Sequence, residues 1–93
     1  VDWQNLVFSS HAIQQMFLRR IRKGEVRAAV AYGEEIYERQ DDTPFPTYLL
    51  LYFVGGKPIH VVLSYDESTD TGYVVTAYIP DPNLWLPNFR RRR

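Results

Sequence analysis

The sequence predicts an α+β domain in which two N-terminal helices pack on a three- to four-stranded antiparallel β-meander, followed by an irregular C-terminal arm. Three observations carry this prediction. Apolar residues recur at spacings of three and four in the first third of the chain, three later segments are dense in β-branched and aromatic residues, and short glycine-rich or polar runs separate those segments.

Ser9 or Ser10 can accept a hydrogen bond from an early helical N–H, so the first helix is expected to start there. Ala12, Ile13, Met16 and Phe17 then form its core-facing stripe. His11, Gln15 and Arg19 stand four residues apart and make a second, polar stripe offset from the first. A second helix is expected from about residue 22 to 32, burying Ile21, Val26, Ala29 and Val30, with Gly33 placed to end it. The period then changes. A short strand from Ile36 to Arg39 is followed by strands over 47–54, 59–66 and 73–79. "VGGKP" and "ESTDTG" supply turns between antiparallel neighbours, "DTPFP" a proline-punctuated loop, and "PDPNLWLPNF" the arm. The helix pair is expected to cover one face of the sheet and to leave the other partly open. Alternation puts His60, Val62 and Ser64 on one side of their strand, opposite Ile59, Val61, Leu63 and Tyr65, while Thr76 and Tyr78 share a side of the last strand. Whether His60 and Thr76 face the same way depends on a register that the sequence leaves open.

The 93 residues suit one domain, 1–93, of which 80–93 are the arm and its basic tail. The 45% apolar content argues for a folded core. With no cysteine, disulfides and thiolate metal sites are excluded, and two histidines far apart offer little for a histidine-built site, so no metal or other cofactor is expected. No run approaches the roughly 20 apolar residues of a membrane span, and no basic-then-apolar leader is present. A cytoplasmic protein without membrane contact is the expectation. Formal charge sums to zero but is segregated: Arg19, Arg20, Arg22, Lys23 and Arg27 are followed by Glu34, Glu35, Glu38, Asp41 and Asp42, and Arg90 to Arg93 close the chain. Two basic clusters could hold a polyanion, or could simply be solvated surface and a solubilising tail.

The ordered segments "HAIQQM", Arg19 with Ile21, "GEEI", "TPFPTYLLL", "PIHVV" and "VVTAYIPDPNLW…FRRR" resemble a family of small bacterial and cyanobacterial proteins defined as a domain of unknown function. The resemblance spans Phe8 to Arg93. That family is grouped with the RelE-like toxin superfamily, alongside barnase-, EndoU- and colicin-like ribonucleases. The resemblance implies a RelE-like fold, a metal-independent endoribonuclease or toxin-like relative acting on RNA, and a cognate antitoxin as partner; a homodimer is left open. Two departures stand out: the family's glycine after the arginine is Arg20 here, and the serine that would cap the second helix is Arg22. Arg20 must then strain a left-handed helix end or shift it by a residue.

Metal-free RNA cleavage needs a base for the 2′-hydroxyl proton, an acid for the leaving 5′-oxygen and a cation for the phosphorane charge. The residues at the family's polar positions fit these roles. His11 is the candidate base or acid, Arg19 the cation, and Tyr78 or His60 the second proton carrier. Gln15, Arg22, Lys23, Lys57, Thr76, Arg90 and Arg91 are candidates for holding substrate. Each has a structural counter-reading. His11 could bond a nearby carbonyl, His60 could be a packed imidazole between apolar neighbours, Arg19 could pair with Glu25, and Thr76 and Tyr78 suit any half-buried strand. Trp85 and Phe89 either tuck the arm onto the domain or stack on bases. The competing class is a non-catalytic protein-binding module with a degenerate toxin fold, since kinship of fold does not carry activity with it.

Overall fold

The computed structural model describes residues 5–93. Ser9 begins the first helix, α1 (Ser10–Leu18): its Oγ accepts the Ala12 N–H at 3.0 Å. The helix ends in a Schellman motif, in which the Ile21 N–H donates to the Met16 carbonyl at 2.9 Å and the Arg20 N–H to that of Phe17 at 3.2 Å. Arg20 takes the left-handed conformation this motif demands, with φ 58°. Its departure from glycine is therefore met by strain and not by moving the helix end. Helix α2 (Lys23–Tyr32) starts at Arg22, whose side chain cannot accept a hydrogen bond. Only half a capping box forms there, as the Glu25 carboxylate accepts the Arg22 N–H at 2.8 Å. Gly33 ends α2 with φ −70°, outside the left-handed region. Glycine is needed for space: a Cβ would sit 2.3 Å from the Ala29 carbonyl oxygen.

Among the described residues the sheet has five strands, not three or four: β1 (Asn5–Phe8), β2 (Glu34–Arg39), β3 (Thr47–Val54), β4 (Lys57–Asp66) and β5 (Thr71–Tyr78). Their spatial order is β1-β5-β4-β3-β2. Strands β2 to β5 form the expected antiparallel meander, whose Gly55–Gly56 turn uses φ of 56° and 84°. The extra strand, β1, pairs parallel with β5 from Asn5↔Thr71 to Phe8↔Val74, which makes the sheet mixed. Four residues carry too little periodicity to be read as a strand, and the partner lies at the far end of the chain. Strand β2 begins two residues before the expected Ile36, with Glu34 and Glu35 guarding an edge.

Helix α1 lies on β5, and α2 on β3 and β4, all on one face. Between them lies the core of Ala12, Met16, Val26, Ala29, Leu50, Ile59, Val61, Leu63, Val74 and Ala77. Each large aliphatic side chain buried there contributes roughly 1.5–3 kcal/mol. The expected core stripe of α1 is only half inside: Ala12 and Met16 are buried, whereas Ile13 is 41% exposed and Phe17 82%. The reason is spacing. One row of α1 touches β5, and among the described residues no second layer covers the flank carrying Ile13 and Phe17. Neither helix is long and apolar enough to cross a membrane.

Candidate functional site

The register resolves what the sequence left open. Tyr78 pairs with His60 and Thr76 with Val62, and a bulge at Val75 keeps both polar residues on the face away from the helices. Leu49 and Leu51 of β3, and Tyr37 of β2 opposite Leu49, join them. This face is concave.

The arm closes one end of it. Leu86 N–H donates to the Arg91 carbonyl at 2.8 Å and Arg93 N–H to that of Leu84 at 2.9 Å, folding residues 84–93 back on themselves. Trp85 is buried against His60, ring centroids 4.5 Å apart and nearly perpendicular, and the Arg90 guanidinium grips the Glu34 carboxylate at 2.8 and 2.9 Å. That grip holds Glu34 below the usual carboxylate range. At the other end, the loop over 40–46 is anchored by Phe45, stacked parallel on Tyr73 at 5.7 Å. Between the two lies a hollow of about 790 Å³, lined by Tyr37, Leu49, Tyr78 and Trp85 with both signs of charge: Arg39 and Arg90 to Arg92 on one side of the balance, Glu34 and Glu35 on the other. A second hollow of about 310 Å³ continues it, sharing Tyr37, Arg39, Leu49 and Tyr78 and adding Asp42, Thr47 and Val62.

His60 lies under the arm with no exposed surface. Its Nε2 is 2.9 Å from the Phe89 carbonyl oxygen, which can only accept, so Nε2 carries the proton and Nδ1 a lone pair. The Tyr78 hydroxyl, 3.2 Å from Nδ1, must then be the donor. Burial holds the His60 pKa below the usual 6.5, opposed by the bond to Phe89. Burial likewise pushes the Tyr78 phenol up, and the nearby Arg92 and Arg19 guanidinium groups pull it down. Arg19 reaches this point from the C-terminal end of α1. Its Nη1 donates to Thr76 Oγ1 at 3.1 Å and to the Ala77 carbonyl at 2.9 Å, so it does not pair with Glu25.

Of the candidate residues, the fold thus links His60, Tyr78, Thr76 and Arg19 by hydrogen bonds at the end of β5; of these four only Tyr78 lines a hollow, together with Arg90 and Arg91. The rest lie elsewhere. His11 is exposed at the opposite end of α1, eight residues or about 12 Å along the axis from Arg19, and lines neither hollow. Half-buried Gln15 and exposed Arg22 also lie outside both hollows. Lys23 sits over the Phe8 ring at 5.4 Å, and Lys57 follows the β3–β4 turn. His60 is corrected in one respect: sealed under Trp85, it can meet a substrate only through Tyr78. The sequence reading missed Tyr37, Arg39 and Arg92. Tyr37 and Arg39 alternate along β2, a visible signal, but nothing distinguishes Arg92 from its neighbours in a run of four arginines.

No curated protein and no solved structure matches the chain significantly. One family model does, over residues 8–79, which takes in both helices, strands β2 to β5 and the Tyr78–His60 pair and stops at the start of the arm. The chain therefore belongs to the family described as Domain of unknown function (DUF4258).

Proposed function

We propose that the hollow binds RNA and cleaves it without a metal, in the manner of a toxin-like endoribonuclease, with the resemblance to RelE-like toxins as a second support. The single observation that carries this reading is the Tyr78–His60 hydrogen bond beside a hollow lined by Arg39 and Arg90 to Arg92, which outnumber its two carboxylates, Glu34, paired with Arg90, and Glu35. Because the phenolic proton points inward to Nδ1, the lone pairs of Oη face the hollow and can accept a 2′-hydroxyl proton. The Tyr78 proton then passes to His60 Nδ1 as the 2′-oxygen attacks phosphorus. Burial disfavours the resulting imidazolium, so the proton returns through Tyr78 to the departing 5′-oxygen. One relay takes and gives the same proton, leaving a 2′,3′-cyclic phosphate and a 5′-hydroxyl. Arg92, which lines the hollow with Tyr78, holds the charge that builds on the phosphorane, and Arg19, bonded to Thr76 and the Ala77 carbonyl just before Tyr78, is the second cation at that end of β5. His60 is a positioning residue and a proton store in this scheme, and His11 has no part in it.

The test is cleavage of a mixed-sequence RNA. Tyr78→Phe should abolish it, His11→Ala should leave it intact, and an all-deoxy strand should survive. Tyr78→Phe protein that cuts like the parent would end the relay.

A second reading, a module that binds a partner protein, is favoured by Phe17 and Leu18, which are 82% and 68% exposed side by side on α1. A cognate antitoxin belongs to the first reading, as the partner that would silence the nuclease. Expression of the chain alone should arrest growth under the first reading and be harmless under the second.

A further inference from the structure

We infer that the smaller hollow is a guanine-reading subsite, in which Asp42 accepts the Watson–Crick edge of the base and Tyr37 stacks on its face. This rests on the hollow receiving RNA, as proposed above, and adds what that RNA must carry.

Asp42 is half-buried in the loop between β2 and β3, and among the described residues its carboxylate makes no hydrogen bond or ion pair. An ionised carboxylate only accepts, through two oxygens side by side. Guanine alone among the four bases offers two adjacent donors on one edge, N1–H and the N2 amino group. Adenine and cytosine set a ring acceptor beside their amino group, and uracil flanks its one donor with two carbonyls, so each presents a lone pair to at least one carboxylate oxygen. The Phe45–Tyr73 stack anchors the loop three residues beyond Asp42, and the carboxylate lies on the lining of the hollow with no partner among the described residues to give up.

The rest of the hollow suits a purine. Tyr37 is 59% exposed, its ring forms one wall, and the Arg39 guanidinium lies 5.9 Å from its centroid. Leu49 and Val62 give an apolar floor. Because Tyr78 and Arg39 line both hollows, a base seated beside Asp42 sends its own 3′-phosphate toward Tyr78 and Arg92. The scissile bond is then the one on the 3′ side of guanosine.

Binding of the four nucleoside 3′-monophosphates, followed by calorimetry and amide-shift mapping on the full chain, tests this without any need for turnover. The expected result is at least about tenfold tighter binding of 3′-GMP than of 3′-AMP, 3′-CMP or 3′-UMP. Asp42→Asn should erase that preference and leave 3′-AMP unchanged, and Tyr37→Ala should weaken both purine nucleotides. Equal affinities for all four, or a 3′-GMP preference that survives Asp42→Asn, would overturn the inference. Protein that selects 3′-GMP but cuts no RNA would support the base subsite and refute only the relay.

Discussion

The Tyr78 hydroxyl donates to Nδ1 of His60 across 3.2 Å, and the direction of that bond is dictated from the other side of the ring, where Nε2–H meets the Phe89 carbonyl at 2.9 Å. A buried imidazole with both nitrogens engaged is fixed in tautomer and orientation.

Removing the hydroxyl with Tyr78→Phe leaves a buried acceptor unpaired, so it should destabilise the fold by about 1–3 kcal/mol as well as stop cleavage. Urea denaturation measures this, and an unchanged midpoint would mean that Nδ1 has found another donor.

Acid should weaken the protein through the same ring. The folded pKa of His60 lies below its unfolded 6.5, so the unfolded chain binds a proton that the native one refuses. This contribution to stability is complete above pH 6.5 and falls away as pH drops from there toward the folded value. His60→Gln, which can still donate to Phe89 and accept from Tyr78, should flatten the slope of midpoint against pH in that window.

The half-buried stripe of α1 separates two neighbours sharply. Met16→Ala should cost about 2–5 kcal/mol, whereas Phe17→Ala should change stability by no more than about 0.5 kcal/mol. Thermal unfolding of both variants would expose a hidden packing role for Phe17 if its loss proved comparable.

Both departures from the family pattern at the helix junction should be improvable. Arg20→Gly relieves a left-handed arginine at some cost in chain entropy, for a net gain of up to about 1 kcal/mol. Arg22→Ser restores a side-chain acceptor at the start of α2, worth about 0.5–1 kcal/mol. Chemical denaturation of the single and double variants measures the gains, and additivity is not assumed, since the two residues flank one turn.

Much of the fold was legible because local signals agree with it: Ser9 caps α1, Gly55–Gly56 make the tight turn, and β3 to β5 follow their β-branched runs. What escaped depends on contacts distant in sequence. The strand β1 exists only because β5 is there to pair with it, and Ile13 and Phe17 look like core residues until the breadth of the surface beneath α1 is known. The candidate site divides along the same line. Arg19, His60, Thr76 and Tyr78 could be named from the sequence, largely through the family resemblance. The bulge at Val75 that turns the last two to the face away from the helices, and the arm that buries His60, could not. Asp42 reads as one more surface acid until the fold puts it on the lining of the smaller hollow with Thr47, Leu49 and Val62.

The arm over His60 ties the chain's last segment to hydrogen-ion concentration. The same segment that covers the imidazole also supplies the carbonyl that holds its proton. The arm acts on the ring in two opposed ways, since Trp85 shuts out water and disfavours charge while the Phe89 carbonyl favours it. By thermodynamic reciprocity, whichever of the two prevails sets whether protonation loosens the arm or tightens it.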